Sequence, residues 1–84
     1  MSRTRKRPRY QSTLRLRNVV VRGHRTSVRL EPVMWDSFHE IAAEQGMNVN
    51  QLVTQIERGG GRSSLTSAIR VYIVEYYQSL ARSR

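Results

Sequence analysis

The chain has 84 residues, which is room for one small domain; such a domain buries only about 60% of its unfolded surface and is marginal without a partner subunit. It has no cysteine, which excludes a disulfide framework and a thiolate metal site and suits a cytoplasmic protein. Fifteen Lys and Arg against six Asp and Glu give a net charge of +9, and no apolar run is long enough for a membrane span or a signal peptide.

The charge is segregated. Arg3, Arg5, Lys6, Arg7, Arg9, Arg15, Arg17, Arg22, Arg25 and Arg29 fall within residues 1–29, which contain no acid, while residues 30–84 are close to neutral. All the basic residues but Lys6 are Arg, the side chain that holds phosphate and guanine edges bidentately. A polyanion is the expected partner.

Residues 1–13 are basic, carry Pro8 and have little to bury beyond Met1 and Tyr10. They read as a disordered arm, part of a basic flexible segment 1–16 ahead of a domain over 17–84. Such an arm serves either as a solubilising tail or as a nucleic-acid contact. Residues 17–31 alternate in polarity around Arg22-Gly23-His24-Arg25, and Gly23-His24 fits a two-residue type II′ turn. That turn would set Val19 against Val28 and Asn18 against Arg29. One face of the hairpin would collect Val19, Val21, Thr26, Val28 and Leu30; the other Asn18, Val20, Arg22, Arg25, Ser27 and Arg29.

Pro32 then opens a helix over about 32–45, with Asp36 near its positive end, Gly46 as its left-handed stop, and a stripe of Met34, Phe38, Ile41 and Ala42. Asn48 is placed to cap a second helix, paired with Gln51 in an Asn-headed capping box. Val49, Leu52, Val53 and Ile56 form its stripe, and the glycines at 59–61 end it. A third helix is predicted over about 64–82, capped by Ser63 or Ser64. Its main stripe is Leu65, Ala68, Ile69, Tyr72, Ile73, Tyr76 and Leu80; Val71, Val74 and Tyr77 widen the apolar surface. A partner subunit or another protein is expected to cover it.

Catalysis finds little support. His24 and His39 have no third ligand at metal spacing, and the glycine run lacks the Gly-Lys-Ser/Thr ending of a phosphate loop. No enzyme, cofactor or metal is expected. The parts instead suit nucleic acid: a strand with Arg25, Ser27 and Arg29 facing outward can enter a major groove, and the helix start at Asn48, Val49 and Asn50 offers amides to phosphate.

The run Arg25-Thr26-Ser27-Val28-Arg29-Leu30-Glu31-Pro32, with Trp35, Ile41-Ala42, Gly46, Asn48 and Leu52-Val53, resembles the ribbon-helix-helix (MetJ/Arc-like) family of DNA-binding proteins. It is most similar to a bacterial branch marked by Arg17-Asn18-Val19 and by Leu65-Thr66-Ser67-Ala68-Ile69-Arg70. The resemblance spans about residues 17–80. It implies an α+β fold, an intertwined homodimer whose 25–31 strands pair antiparallel in the major groove, with an added N-terminal strand and a third C-terminal helix. It implies base contacts by Arg25, Ser27 and Arg29, and phosphate contacts by the amides of Asn48 to Asn50. Arg17, Arg22 and the arm residues Arg3, Arg5, Lys6, Arg7 and Arg9 are the further phosphate candidates. The dimer core would comprise Val28, Leu30, Phe38, Ile41, Leu52, Val53 and Ile56. Pairing of the added strand within each protomer would give the dimer a four-stranded sheet, roughly 15 Å across at ~4.8 Å per strand.

The expected function is sequence-specific binding of double-stranded DNA by a cytoplasmic, nucleoid-associated transcriptional regulator, as a homodimer or a homotetramer. Two competitors belong to other classes. One is an antitoxin-like module that binds a protein partner through the third helix; the other is a non-specific nucleic-acid binder that uses the arm alone.

Overall fold

The computed structural model describes residues 14–60 and 64–83. Strands β1 (Arg15–Val21) and β2 (His24–Leu30) form an antiparallel hairpin, followed by helices α1 (Pro32–Glu44), α2 (Val49–Arg58) and α3 (Leu65–Arg82). The fold is the expected α+β arrangement of a ribbon, two helices and an added third helix. Strand β1 begins at Arg15, so Arg15 and Leu16, expected in the arm, belong to the sheet. The remaining arm residues, among them Arg3, Arg5, Lys6, Arg7 and Arg9, lie outside the described residues, as does Ser63.

The hairpin turns one residue earlier than predicted. Arg22 (φ 53°) and Gly23 (φ 80°) are its two central residues, and both are left-handed, as a type I′ turn requires. Glycine takes that conformation freely; Arg22 does so at a cost of about 1–2 kcal/mol. His24 is therefore in the strand, opposite Val21, and the register pairs Val19 with Thr26, Asn18 with Ser27 and Leu16 with Arg29. Each partner is displaced by two places from the expected one. Because side chains alternate with a period of two, an even slip leaves every residue on its predicted face. Val19, Val21, Val28 and Leu30 are buried, whereas Arg25, Ser27 and Arg29 are exposed.

Helix α1 starts on Pro32, with the Glu31 carbonyl accepting from the amides of Met34 (2.9 Å) and Trp35 (3.0 Å). Asp36, predicted near the positive end, lies beyond the first turn, which holds no acid. The buried stripe is Trp35, Phe38, Ile41 and Ala42; Trp35 takes the inward place assigned to Met34, which is half-buried. The helix closes in a Schellman motif: Gly46 is left-handed at φ 69°, and the Met47 amide reaches back to the Ala42 carbonyl at 2.9 Å. Helix α2 opens on the predicted capping box, with Gln51 N–H donating to Asn48 Oδ1 and Asn48 N–H to Gln51 Oε1, both at 2.8 Å. Ser64 caps α3, accepting from the Ser67 amide at 3.2 Å.

One chain closes its own core. The inner face of the sheet packs against Trp35, Phe38 and Ile41 of α1, Leu52 and Val53 of α2, and Ile69 and Ile73 of α3, all buried. Of the seven residues expected at a dimer core, Val28, Leu30, Phe38, Ile41, Leu52 and Val53 lie within this single-chain core, and Ile56 is half-buried beside it. Helix α3 buries less of its stripe than predicted. Leu65, Tyr72 and Tyr76 are half-buried, while Leu80 is exposed together with Val71 and Val74.

The strand–helix junction is tied to α3 by charge. Arg70 Nη1 lies 2.8 Å from Glu31 Oε1, and the Glu31 carboxyl is held below its ordinary value of 4.5. The larger cause is a bond from its own backbone N–H; the Arg70 guanidinium adds to it. A carboxylate whose folded-state pKa is depressed stabilises the fold above its unfolded value, and that contribution is lost as pH falls through the folded one. The urea midpoint should therefore drop as pH falls below about 4.5, and Arg70→Met should flatten part of that drop. An unchanged slope in Arg70→Met would show the ion pair to be uncoupled from folding.

Candidate nucleic-acid interface

The outer face of the hairpin is a small grid of side chains. Across the ladder, Leu16 stands opposite Arg29, Asn18 opposite Ser27, and Val20 opposite Arg25. Arg25, Ser27 and Arg29 thus lie along one exposed line on β2, as the alternation predicts. Ser27 Oγ donates to Asn18 Oδ1 at 3.0 Å, joining the two strands at the middle of the grid. Leu16 and Val20 are exposed at 48% and 40%, so this face offers apolar contact as well as donors.

The two edges of the sheet differ. Val20 N–H donates to Asn50 Oδ1 of α2 at 3.0 Å, so it points away from β2. Pairs in an antiparallel ladder alternate between hydrogen-bonded and non-hydrogen-bonded. Val20–Arg25 is therefore of the second kind, as are Asn18–Ser27 and Leu16–Arg29. On β1 the outward side is flanked by α2. On β2 the peptide groups of Arg25, Ser27 and Arg29 point to an edge that no element among the described residues pairs with. An open strand edge of this kind is a template for another strand.

The start of α2 lies against this sheet through Asn50. Asn48 is committed to the capping box through both its amide and its Oδ1. That leaves the amides of Val49 and Asn50, which have no helical acceptor in the first turn, available to an anion. Arg22 at the hairpin tip pairs with Glu57 of α2 at 2.9 Å and stays largely exposed. Arg17 faces the helix side of the sheet, with its guanidinium 5.5 Å from the Trp35 ring centre. Trp35 Nε1–H in turn donates to the Arg15 carbonyl at 2.9 Å. Of the phosphate candidates within the described residues, Arg22, Asn48 and Asn50 border Val20 of the outer face, while Arg17 lines a cleft with Asn48, Val49 and Asn50.

A family model described as a ribbon-helix-helix domain matches residues 14–77. The chain belongs to the ribbon-helix-helix family. Domains of this family generally bind DNA and regulate transcription, usually dimerise, and form a non-enzymatic family. An uncharacterized protein from Bordetella pertussis Tohama I has a similar structure, with a TM-score of 0.72 and 31% sequence identity. The match covers 93% of this chain and 66% of that one. No curated protein matches. Within the ribbon-helix-helix frame, β2 corresponds to the ribbon strand and α1 and α2 to the paired helices. Strand β1 and helix α3 are additions to the simplest form. No helix among the described residues is long and apolar enough to cross a membrane.

Two contacts of the interface escaped the sequence, although both residues were placed by it. Asn18 is visible as an outward-facing residue, but only the true register sets it beside Ser27 in place of Arg29. Asn50 is legible at the helix start, with nothing in the sequence to signal its bond to β1. Removing that bond leaves the Val20 amide without its acceptor. Asn50→Ala should destabilise the fold by about 1 kcal/mol and speed hydrogen exchange at Val20 selectively; uniform exchange along β1 would show the bond to be dispensable.

Proposed function

We propose that the protein is a sequence-specific regulator that binds double-stranded DNA as a dimer formed along the open β2 edge. The observation that carries this is the combination on one strand of outward peptide groups that no strand among the described residues pairs with and an outward line of Arg25, Ser27 and Arg29. Antiparallel pairing of two β2 strands uses the first and presents the second twice, related by a two-fold axis. Arg25 and Arg29 suit guanine O6 and N7, and a groove about 12 Å wide admits the paired strands. The Val49 and Asn50 amides, at a positive helix end, take a phosphate at the groove wall. Arg22 and the basic residues 3–9 add sequence-independent contacts, and the protein acts at the nucleoid, in the cytoplasm.

Selection from random duplexes at about 150 mM salt, using protein without residues 1–13, tests this, because a +9 chain holds any DNA at low salt. A short motif should emerge as repeated half-sites at fixed spacing. If about six to ten phosphates are neutralised, affinity should fall ~10³–10⁵-fold between 50 and 200 mM salt. Arg29→Ala should cost about 1–3 kcal/mol at one base pair, whereas removal of the arm should weaken all sequences alike. Equal loss across sequences from Arg29→Ala counts against direct readout.

A second reading concerns α3. Val71, Val74 and Leu80 are exposed at 54%, 49% and 47%, an apolar strip on an element the simplest family members lack. Pairing of two dimers into a tetramer would cover it, as would an antitoxin-like protein partner. Sedimentation should show a tetramer that Val74→Glu reduces to a dimer. A wild-type dimer with this strip exposed would favour the partner protein.

A further inference from the structure

We infer that Asn18, on the added strand β1, reads an adenine together with Ser27, so that the base-reading surface spans both strands of each hairpin. This rests on the DNA-binding reading above and extends it to a residue on the added strand.

The chemistry follows from one hydrogen bond. A serine hydroxyl has a single proton, and Ser27 gives it to Asn18 Oδ1 at 3.0 Å. Toward solvent, Ser27 therefore offers lone pairs only, while the Asn18 amide nitrogen offers two N–H donors. The pair presents an acceptor beside a donor. Of the four base edges in the major groove, adenine alone carries the complementary set, an N6 donor beside an N7 acceptor. Guanine presents two acceptors at N7 and O6 and would set one of them against the Ser27 lone pairs. Cytosine offers a donor without an acceptor, and thymine the reverse.

The same bond answers the question of reach. In a four-stranded dimer sheet, roughly 15 Å across, β1 lies one strand spacing, ~4.8 Å, outside β2 and so just beyond the wall of a 12 Å groove, which a side chain reaching inward can cross. Asn18 stands opposite Ser27 in a non-hydrogen-bonded pair, the closer of the two kinds at about 4.5 Å between Cα atoms. The hydroxyl draws the Asn18 amide across the ladder toward β2 and the groove floor, and holds its orientation before DNA arrives. Arg25 and Arg29 lie two residues to either side of Ser27, so guanine contacts flank the adenine. Asn18 is the base-contacting residue in this arrangement, and Ser27 both contacts the base and positions Asn18.

The full chain, Asn18→Ala and Asn18→Asp are compared by selection from random duplexes at about 200 mM salt, with circular dichroism confirming that each folds. The wild type is expected to enrich a half-site with an A·T pair between guanine-containing positions. Asn18→Ala should lose discrimination at that pair alone, by roughly 5- to 150-fold. Asn18→Asp keeps the shape but presents acceptors only, and should move the preference at that pair toward cytosine, whose N4 donates. A wild-type motif that both variants reproduce unchanged overturns the inference and leaves the regulator reading standing. Uniform weakening over all sequences also overturns it, since that is the mark of a residue that only supports the strand. Enrichment of no motif by the wild type sinks the regulator reading itself, and this inference with it.

Discussion

The two-residue turn at Arg22–Gly23 sets the parity of both strands, and parity decides which side chains reach the core, which reach solvent and which peptide groups face outward. A turn of odd length difference would exchange the faces, burying Arg25, Ser27 and Arg29 and exposing Val28 and Leu30. Neither result is tolerable, because unpaired arginines are costly to bury and the core would lose its sheet layer. The left-handed strain at Arg22 is small beside that. The Arg22–Glu57 ion pair ties this tip to α2.

From that parity the asymmetry of the sheet follows. Outward peptide groups on β1 meet α2, where Asn50 takes up the Val20 amide; those on β2 pair with no strand among the described residues. One edge is thus closed by α2, and the other pairs with no strand among the described residues. The additions to the simplest family form fit the same logic. Strand β1 and helix α3 cover surfaces of β2, α1 and α2, so one chain can bury Leu30, Phe38, Ile41 and Leu52 by itself. Under the proposed pairing of two β2 strands, dimerisation would complete a sheet edge and need not rescue an exposed core.

Much of this was legible in the sequence because its signals are local. Pro32, Gly46 and the Asn48–Gln51 pair each act within one turn of chain, and the helices begin and end close to where they predict. Faces survived an error in the turn because alternation has a period of two. Contacts between distant residues were not legible: the Asn18–Ser27 bond depends on a register that Gly23-His24 misplaced, and the Asn50–Val20 bond joins residues thirty apart. Trp35 was missed as a core residue for a related reason. A helix stripe wide enough for Met34 and Trp35 does not say which of them a strand will cover, and that depends on β1 crossing above the helix with its Arg15 carbonyl in reach.

Trp35 is the chain's single tryptophan, buried at 2% exposure, bonded to the β1 backbone and stacked beneath Arg17. The indole therefore senses whether the added strand is seated. Its emission should be blue-shifted while β1 stays docked and should move to the red when water replaces the Arg15 carbonyl. The molecule carries a native optical probe where the added strand crosses α1, one of the family's own helices, and nucleic acid bound on the opposite face of the sheet would be seen only if it moved that strand.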